Sequence, residues 1–571
     1  MELTFGPCDD EMSCEELTWE INALTTEKIM GDVSFDISQN GKTILATFSG
    51  GANNVFEIIV RKDEKMLLTS KATCKHVRRD IYQISKSDRT KYFEAMHTLF
   101  TISNEDGKKK YGNNFVSHAH LTALHDSAKY KFHFSLFFLT SHPTMQIIFE
   151  KSLLSIDKTL VLPYWDFLMD SKLNENWASS PIYNTDWFGP IDNIEDDYRI
   201  QGRFHDIKKV YDPDHNNFPT AQHDPYGFLG RSGLISSNEY LQRTNEYCGF
   251  KSVLGQTSCS NVQTCFDGYE KNVDLFDFDV CLEFKVHGNL HLMHSGHWDC
   301  SVSWSDFYDN NNNWLDDKLF SLLAMRACEG TRLLVVDEVV SCPESCDFGT
   351  STSSSTCSCS YNSDDILSAS DVENKLSIDD RTEQTKFFWE YLKTNVDGFM
   401  GYVKEESNYH NYGKVIVPLD KTNKKPVTLE QLDQLNTLLL QTIYFPGKMG
   451  VMTSAAASND PLFWVMHQIF DKAVHALRLS SKYNKNEFIW NNKNEISWTE
   501  ETPFTWHDFE PYLGGSSLST EYDSIARDGS ASLNNKQLWA LLHPNNNAIP
   551  YVYDKLTNWG DCDFDPFSTE A

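Results

Sequence analysis

Over about the first 70 residues apolar and polar positions alternate, as in Val33-Ser-Phe-Asp-Ile-Ser, Thr43-Ile-Leu-Ala-Thr-Phe and Val55-Phe-Glu-Ile-Ile-Val, with a break at Gly50-Gly51. A period of two predicts short antiparallel strands, one face toward a core and one toward water. From Val77 onward the period lengthens to that of a helix. Helices are predicted over Arg89–Phe100, Thr144–Ile156, Glu283–His294, Thr382–Leu392, Leu429–Gln441 and Asp460–Ser480. The fold class is therefore mainly α, with a small β-rich module at residues 1–70. Between 298 and 450 the pattern weakens into acidic runs, an Asn310–Asn313 tract and a Ser/Cys-rich patch at Thr350–Ser360, which predicts a large irregular insertion pinned by disulfides.

Composition narrows the function classes. A chain of 571 residues, 40% hydrophobic, has room for one large core and accessory modules. Its formal net charge of -31 repels phosphate backbones and anionic lipid surfaces, so nucleic acid is excluded as a partner. No apolar run approaches the roughly 20 residues of a membrane-spanning helix, so no membrane insertion is expected. Fourteen cysteines without a repeated Cys-x-x-Cys pair point to disulfides and a secreted or otherwise oxidising setting. Against secretion stand a start at Met1 without a leader and the absence of any Asn-x-Ser/Thr acceptor; a processed start would explain only the first. Nothing in the sequence sets an oligomeric state.

The candidate chemistry lies in histidines placed against this periodicity. His125, His133 and His142 fall close together on a predicted helix end and the loop feeding the next helix, among phenylalanines, with Glu150 two turns on and Pro163-Tyr-Trp-Asp after it. Glu283-x-x-x-His287-x-x-x-His291 puts two imidazoles on one helix face, where they can chelate one ion. Downstream, Asp460-Pro-Leu-Phe-Trp-Val-Met-His467-Gln-Ile-Phe-Asp471 offers a third. Any single His-x-x-x-His is more often ordinary packing than a metal site, and His118, His120, His294 and His297 crowd the same neighbourhoods without an evident role. The ordered recurrence of all these motifs makes chance a poor explanation.

In these motifs the sequence resembles the tyrosinase, catechol oxidase and haemocyanin superfamily, from about Cys74 to Tyr553 and most specifically at Asp460-Pro-x-Phe-Trp. The resemblance implies a four-helix bundle holding a type III dinuclear copper centre, with His125, His133 and His142 on one copper and His287, His291 and His467 on the other. His118 or His120 would fit a longer spacing variant in place of His125. Val77-Arg-Arg-Asp-Ile looks like the family's domain-opening arginine region, and Tyr551-Val-Tyr553 like its closing tyrosine motif. The implied layout is a dicopper core at 71–297 and 451–555, interrupted by the 298–450 insertion and followed by a tail at 556–571.

Three departures from the family pattern carry expectations. Ser141-His142-Pro143 stands where Trp-His-Arg is usual. Ser141 as cap and Pro143 as first helical residue would still start a helix, but the missing arginine leaves Asp471 or Glu150 without its expected partner. Lys131, two before His133, replaces a cysteine that crosslinks to this histidine in some relatives, so no thioether is expected. Gly288 follows His287 where monophenol-hydroxylating members often carry asparagine. Glu283, one turn before His287, is expected to orient that ligand or to act as a base.

The function implied is oxidation of o-diphenols to o-quinones by dioxygen at two coppers, with room for weak monophenol hydroxylation. Small phenols and dioxygen are the expected partners. Two rivals use the same residues: a haemocyanin-like oxygen carrier, and a copper-poor relative kept for binding. A hydrolytic zinc site lacks the His-Glu-x-x-His signature. Only 18 residues follow Tyr553, so no shielding C-terminal domain is expected after it.

Overall fold

The computed structural model describes residues 17–24 and 55–127, most of 132–342, then 359–361, most of 372–395, most of 415–490 and most of 533–567, with isolated strands at 2–4, 33–37, 43–48, 400–403 and 503–504. Lys131, Gly50-Gly51 and most of Thr350–Ser360 lie outside the described residues.

The three alternating segments form strands. Leu17–Ala23, Val55–Lys62 and Lys65–Thr73 make an antiparallel sheet, while Glu2–Thr4, Thr43–Phe48 and Val33–Ile37 make a second. Lys62 pairs with Lys65, and the two residues between them, Asp63 and Glu64, take φ of 49° and 65°. Two left-handed residues suit the tight hairpin that follows the twist of its strands.

Beyond residue 80 the described chain is mostly helical, around one main apolar cluster that runs from Ile81 to Phe564. Four helical stretches converge on the histidines: His118–Ser127, Phe138–Ile156, the run formed by Leu275–Val280, Cys281–His287 and Gly288–Ser295, and the pair Pro461–Met466 and Gln468–Leu479. The 298–450 segment contributes helices Trp304–Asn311, Asp317–Val336, Ile378–Asn395 and Leu429–Tyr444. Leu432, Leu435 and Leu439 recur at helical spacing and join the main cluster with Trp304, Phe320 and Trp389, so this segment builds core as well as surface.

The helix after His133 begins earlier than expected. It starts at Phe138, so Ser141 and Pro143 lie inside it rather than at its cap. Bonds from Phe138 N to Ser135 O and from Ser141 N to Phe137 O already wind the chain one turn upstream. Pro143 then withholds only the N–H that would have met the Leu139 carbonyl.

Among the described residues four disulfides close loops: Cys248–Cys300, Cys259–Cys562, Cys265–Cys281 and Cys342–Cys359. Cys259–Cys562 ties the end of the chain to the Cys259–Phe266 helix, and Cys74 is a free thiol. No helix among the described residues is long and apolar enough to cross a membrane.

Candidate metal centre

The last helical stretch shows how local sequence aims a histidine. Asp460 caps it, its carboxylate accepting Leu462 N at 2.8 Å, and Pro461 takes the first helical position, where a missing N–H costs nothing. Arg243 clamps the same carboxylate through Nε at 2.5 Å and through a second, shorter bond, with both side chains buried. One turn on, the Phe463 ring lies 3.7 Å from that of His467, and Trp464 stacks on Phe149 at 3.8 Å. The Asp-Pro-x-Phe-Trp motif is thus a cap, a helix start, a wall for His467 and a packing anchor.

A π-helical turn at Cys281–His287 interrupts the Leu275–Ser295 run. Such turns recur at functional sites because they re-aim side chains by one position. Here the Glu283 carboxylate reaches across to the other triad and accepts His133 Nδ1–H at 3.1 Å, while its backbone carbonyl accepts His287 Nδ1–H at 3.3 Å. The expectation that its side chain orients His287 is therefore corrected: the wider turn carries the carboxylate toward His133. Gly288 N caps the turn on the same carbonyl, and a Cβ at Gly288 would meet that oxygen at 3.3 Å. Asp279, one turn before Glu283, is buried, and burial together with the Glu283 charge pushes its carboxyl well above the usual range.

The six predicted histidines come together. His125 Nε2 lies 3.3 Å from His142 Nε2 and 3.2 Å from His133 Nε2; His467 Nε2 lies 3.0 Å from His287 Nε2 and 3.4 Å from His291 Nε2. His142 stands between the sets, its ring 4.9 Å from that of His467, and its ligand nitrogen falls within 4.8 Å of those of His287 and His467. The choice among three nearby histidines resolves geometrically. His118 is stacked on Phe100 and His120 bonds Ser117, and neither enters a group of donor nitrogens, whereas His125 does.

Every Nδ1 in the cluster has an oxygen acceptor. His125 donates to Ala455 O at 2.5 Å, His142 to Phe138 O at 3.2 Å, His291 to Met452 O at 2.7 Å and His467 to Phe463 O at 2.9 Å, completing the pattern set by His133 and His287. Each imidazole then carries its proton on Nδ1 and points a bare lone pair inward from Nε2. Lone pairs 3.0–3.4 Å apart with no proton between them repel, and a cation relieves this. A first-row ion about 2.0–2.1 Å from each nitrogen in tetrahedral directions sets those nitrogens about 3.3 Å apart. The donor set fits a metal. It also stays neutral, because burial lowers His125 to about 4 and, with the neighbouring imidazoles, drives His142, His287 and His467 well below the ordinary histidine value. Phe132, Phe138, Phe463 and Phe470 press on these rings, and only the His133 side chain, 15% exposed, reaches toward solvent.

The feared loss of a cation beside Ser141 and Pro143 is also corrected. Arg78, fully buried on strand His76–Arg78, bonds Glu150 at 2.9 and 3.3 Å and Gln468 at 2.7 Å, and stands 3.5 Å from Asp471. The strand pairs in parallel with Tyr551–Tyr553, whose two hydroxyls each donate to Asp471 at 2.7 Å, and Arg78 lies over the Tyr551 ring at 3.3 Å. One guanidinium from the domain opening thus serves both carboxylates. The sequence marks this arginine region without its partners, of which Glu150 is 72 residues away and Gln468 is 390. The carbonyls of Met452 and Ala455 were equally invisible, since backbone acceptors leave no residue signature.

Eight fully buried histidines share depressed pKa values: the four above with His118 and His475 at about 4 and His294 and His297 at about 3. As pH falls from about 6.5 toward 4, the unfolded chain takes up protons that the fold refuses, so stability falls by up to about 1.4 kcal/mol per pH unit for each group. Four carboxyls raised by burial, Asp80, Asp166, Asp170 and Asp279, act in the opposite sense and are outnumbered. Melts of the metal-free protein should show Tm dropping below about pH 6.5, the ordinary histidine value; a flat profile between pH 7 and 4 would contradict the buried neutral histidines.

Another metal-like grouping, Cys248, His297 and Cys300, has both sulfurs in one disulfide, with His297 Nδ1 3.5 Å from Cys248 Sγ. In comparisons with known proteins, residues 87–307 match the family model Tyrosinase, the common central domain of tyrosinase. That span includes His125, His133, His142, His287 and His291 and ends before His467. No curated protein matches the chain. Over residues 87–307 the chain is thus similar to the central domain of the tyrosinase family, whose members bind copper and use dioxygen and phenolic substrates.

Proposed function

We propose that the protein oxidises o-diphenols to o-quinones with dioxygen, holding one copper on His125, His133 and His142 and a second on His287, His291 and His467. The observation that carries this reading is the set of six inward Nε2 lone pairs, each fixed by an oxygen on Nδ1. Two coppers on neutral imidazoles supply the one-electron steps that join phenol oxidation to dioxygen reduction. In the balance, two diphenols give four electrons and four protons to one dioxygen, leaving two quinones and two waters.

The chain's own residues do the rest. Phe138, Phe463 and Phe470 exclude water around the rings, and the partly exposed His133 marks the side from which a flat phenol approaches. Glu283 is a positioning residue that fixes the tautomer and angle of His133. Gly288, where monophenol-hydroxylating relatives often carry asparagine, favours diphenols over monophenols. The four disulfides fit a secreted or otherwise oxidising location.

Copper analysis followed by oxygen uptake with catechol tests the reading. About two coppers per chain and quinone formation are expected. Reversible oxygen binding without quinone would indicate a carrier, and copper well below two a binding relative. Exchanging Glu283 for glutamine should lower copper affinity or diphenol turnover about 10–100-fold, the usual cost of losing a partner of a metal-bound histidine. Unchanged copper titrations and turnover in E283Q would remove the positioning role.

A further inference from the structure

A second buried pair of side chains with redox chemistry sits beside the histidine centre. Tyr183 ends the short turn Pro181–Tyr183, and His294 lies one turn beyond His291 on the Gly288–Ser295 helix. Their exposures are 4% and 0%. His294 donates from Nδ1 to Leu290 O at 2.5 Å, so its Nε2 holds a lone pair and accepts the Tyr183 hydroxyl, also at 2.5 Å. Burial and the Arg243 charge push His294 down to about 3, so the resting ring is neutral with its Nε2 lone pair on the phenol.

Oxidisable rings continue outward from this pair. The Trp165 ring stands 5.6 Å from His294, and its indole N–H donates to Asp170 at 2.9 Å and to the Tyr82 hydroxyl oxygen at 3.2 Å. Tyr82 donates to the same Asp170 oxygen at 2.6 Å, and its ring is 5.6 Å from that of Trp187. Trp187 is partly exposed, with the Arg89 guanidinium over its face at 4.2 Å. A buried tyrosine hydroxyl needs some partner in any core. Packing alone does not require a neutral imidazole for Tyr183, a carboxylate shared by Trp165 and Tyr82, and ring-to-ring steps leading from beside a histidine ligand to the surface.

We propose that Tyr183 and His294 form a proton-coupled redox relay, continued by Trp165, Tyr82 and Trp187, that discharges the histidine centre when dioxygen has been activated and no phenol is bound. The relay rests on the dioxygen-activating reading above. In its first step one electron leaves Tyr183 for the oxidised centre, the phenolic O–H bond breaks, and an N–H bond forms on His294 Nε2. A neutral tyrosyl radical and an imidazolium remain. Electrons from Trp165, Tyr82 and Trp187 then refill Tyr183, His294 returns its proton, and a soluble one-electron reductant such as ascorbate restores the surface ring.

Copper content and catechol turnover of the full chain, measured beforehand, judge the dioxygen-activating reading on its own. The relay is judged by freeze-quenched electron paramagnetic resonance of the copper-loaded protein treated with hydrogen peroxide without phenol. A tyrosyl radical is expected in the wild type and not in Y183F. H294Q, which keeps the phenol but removes the neutral imidazole, should show a weaker and altered signal. Y183F should match the wild type in initial catechol rate yet lose activity several-fold sooner during incubation with peroxide, and ascorbate should prolong the wild type more than the variant. A wild type without the radical, or a Y183F protein with the same radical and the same inactivation rate, overturns the relay whatever the catechol result.

Discussion

Exchanging Arg78 for methionine should destabilise the protein by about 3–5 kcal/mol, the range for breaking a buried ion pair by removing one partner. The side chain is fully buried between Glu150 and Asp471, and truncation leaves both carboxylates in a medium that cannot solvate them. The damage is not confined to one contact. The same guanidinium bonds Gln468, next to His467, and stacks on Tyr551, so it joins the opening strand, the Phe138–Ile156 helix, the Gln468–Leu479 helix and the closing strand. R78K keeps the charge but not the planar fork that meets Glu150 through two nitrogens, and should recover only part of the loss. Thermal and urea unfolding of the metal-free variants measure this. An R78M protein within about 1 kcal/mol of wild type, the range of a surface pair, would show that the network is dispensable.

Replacing His467 with alanine should abolish diphenol oxidation and remove about one copper per chain from the two expected of a dinuclear site. His467 Nε2 is the nitrogen that both His287 and His291 face, at 3.0 and 3.4 Å, and its ring stacks against His142 of the other triad. The fall in turnover should exceed the 10–100-fold that losing a supporting hydrogen bond costs, because a donor is removed rather than loosened. Stability of the metal-free chain should change far less than in R78M, since relief of lone-pair repulsion offsets part of the lost packing. Copper analysis, oxygen uptake and unfolding on one preparation separate these effects. Two coppers and near-native turnover in H467A would take His467 out of the proposed ligand set.

The two variants divide the site into layers that differ in how visible they are in sequence. His467 lies in Asp460-Pro-x-Phe-Trp, where cap, helix start, aromatic wall and donor are all set by near neighbours, and such motifs survive translation into a string of letters. Arg78 was visible only as part of a basic tract. Its partners come from residues 150, 468, 471, 551 and 553, and no local rule links those positions. The same contrast explains Glu283. Helical spacing aims it at His287, but the π turn redirects the carboxylate to His133, 150 residues away in sequence.

By itself the sequence determined the mainly helical class, the N-terminal strands and five of the six clustered histidines, because these rest on periodicity and short-range order, which are properties of neighbouring residues. Tertiary structure alone decided that His125 rather than His118 or His120 enters the cluster, that a helix begins at Phe138 and not at Pro143, and that one arginine replaces the cation missing beside His142. It alone placed the carbonyls of Met452 and Ala455 behind His291 and His125 and the Tyr183 hydroxyl on His294. The physical reason is common to all of these. Each depends on which groups lose water together, and that is settled only when distant segments close on one another.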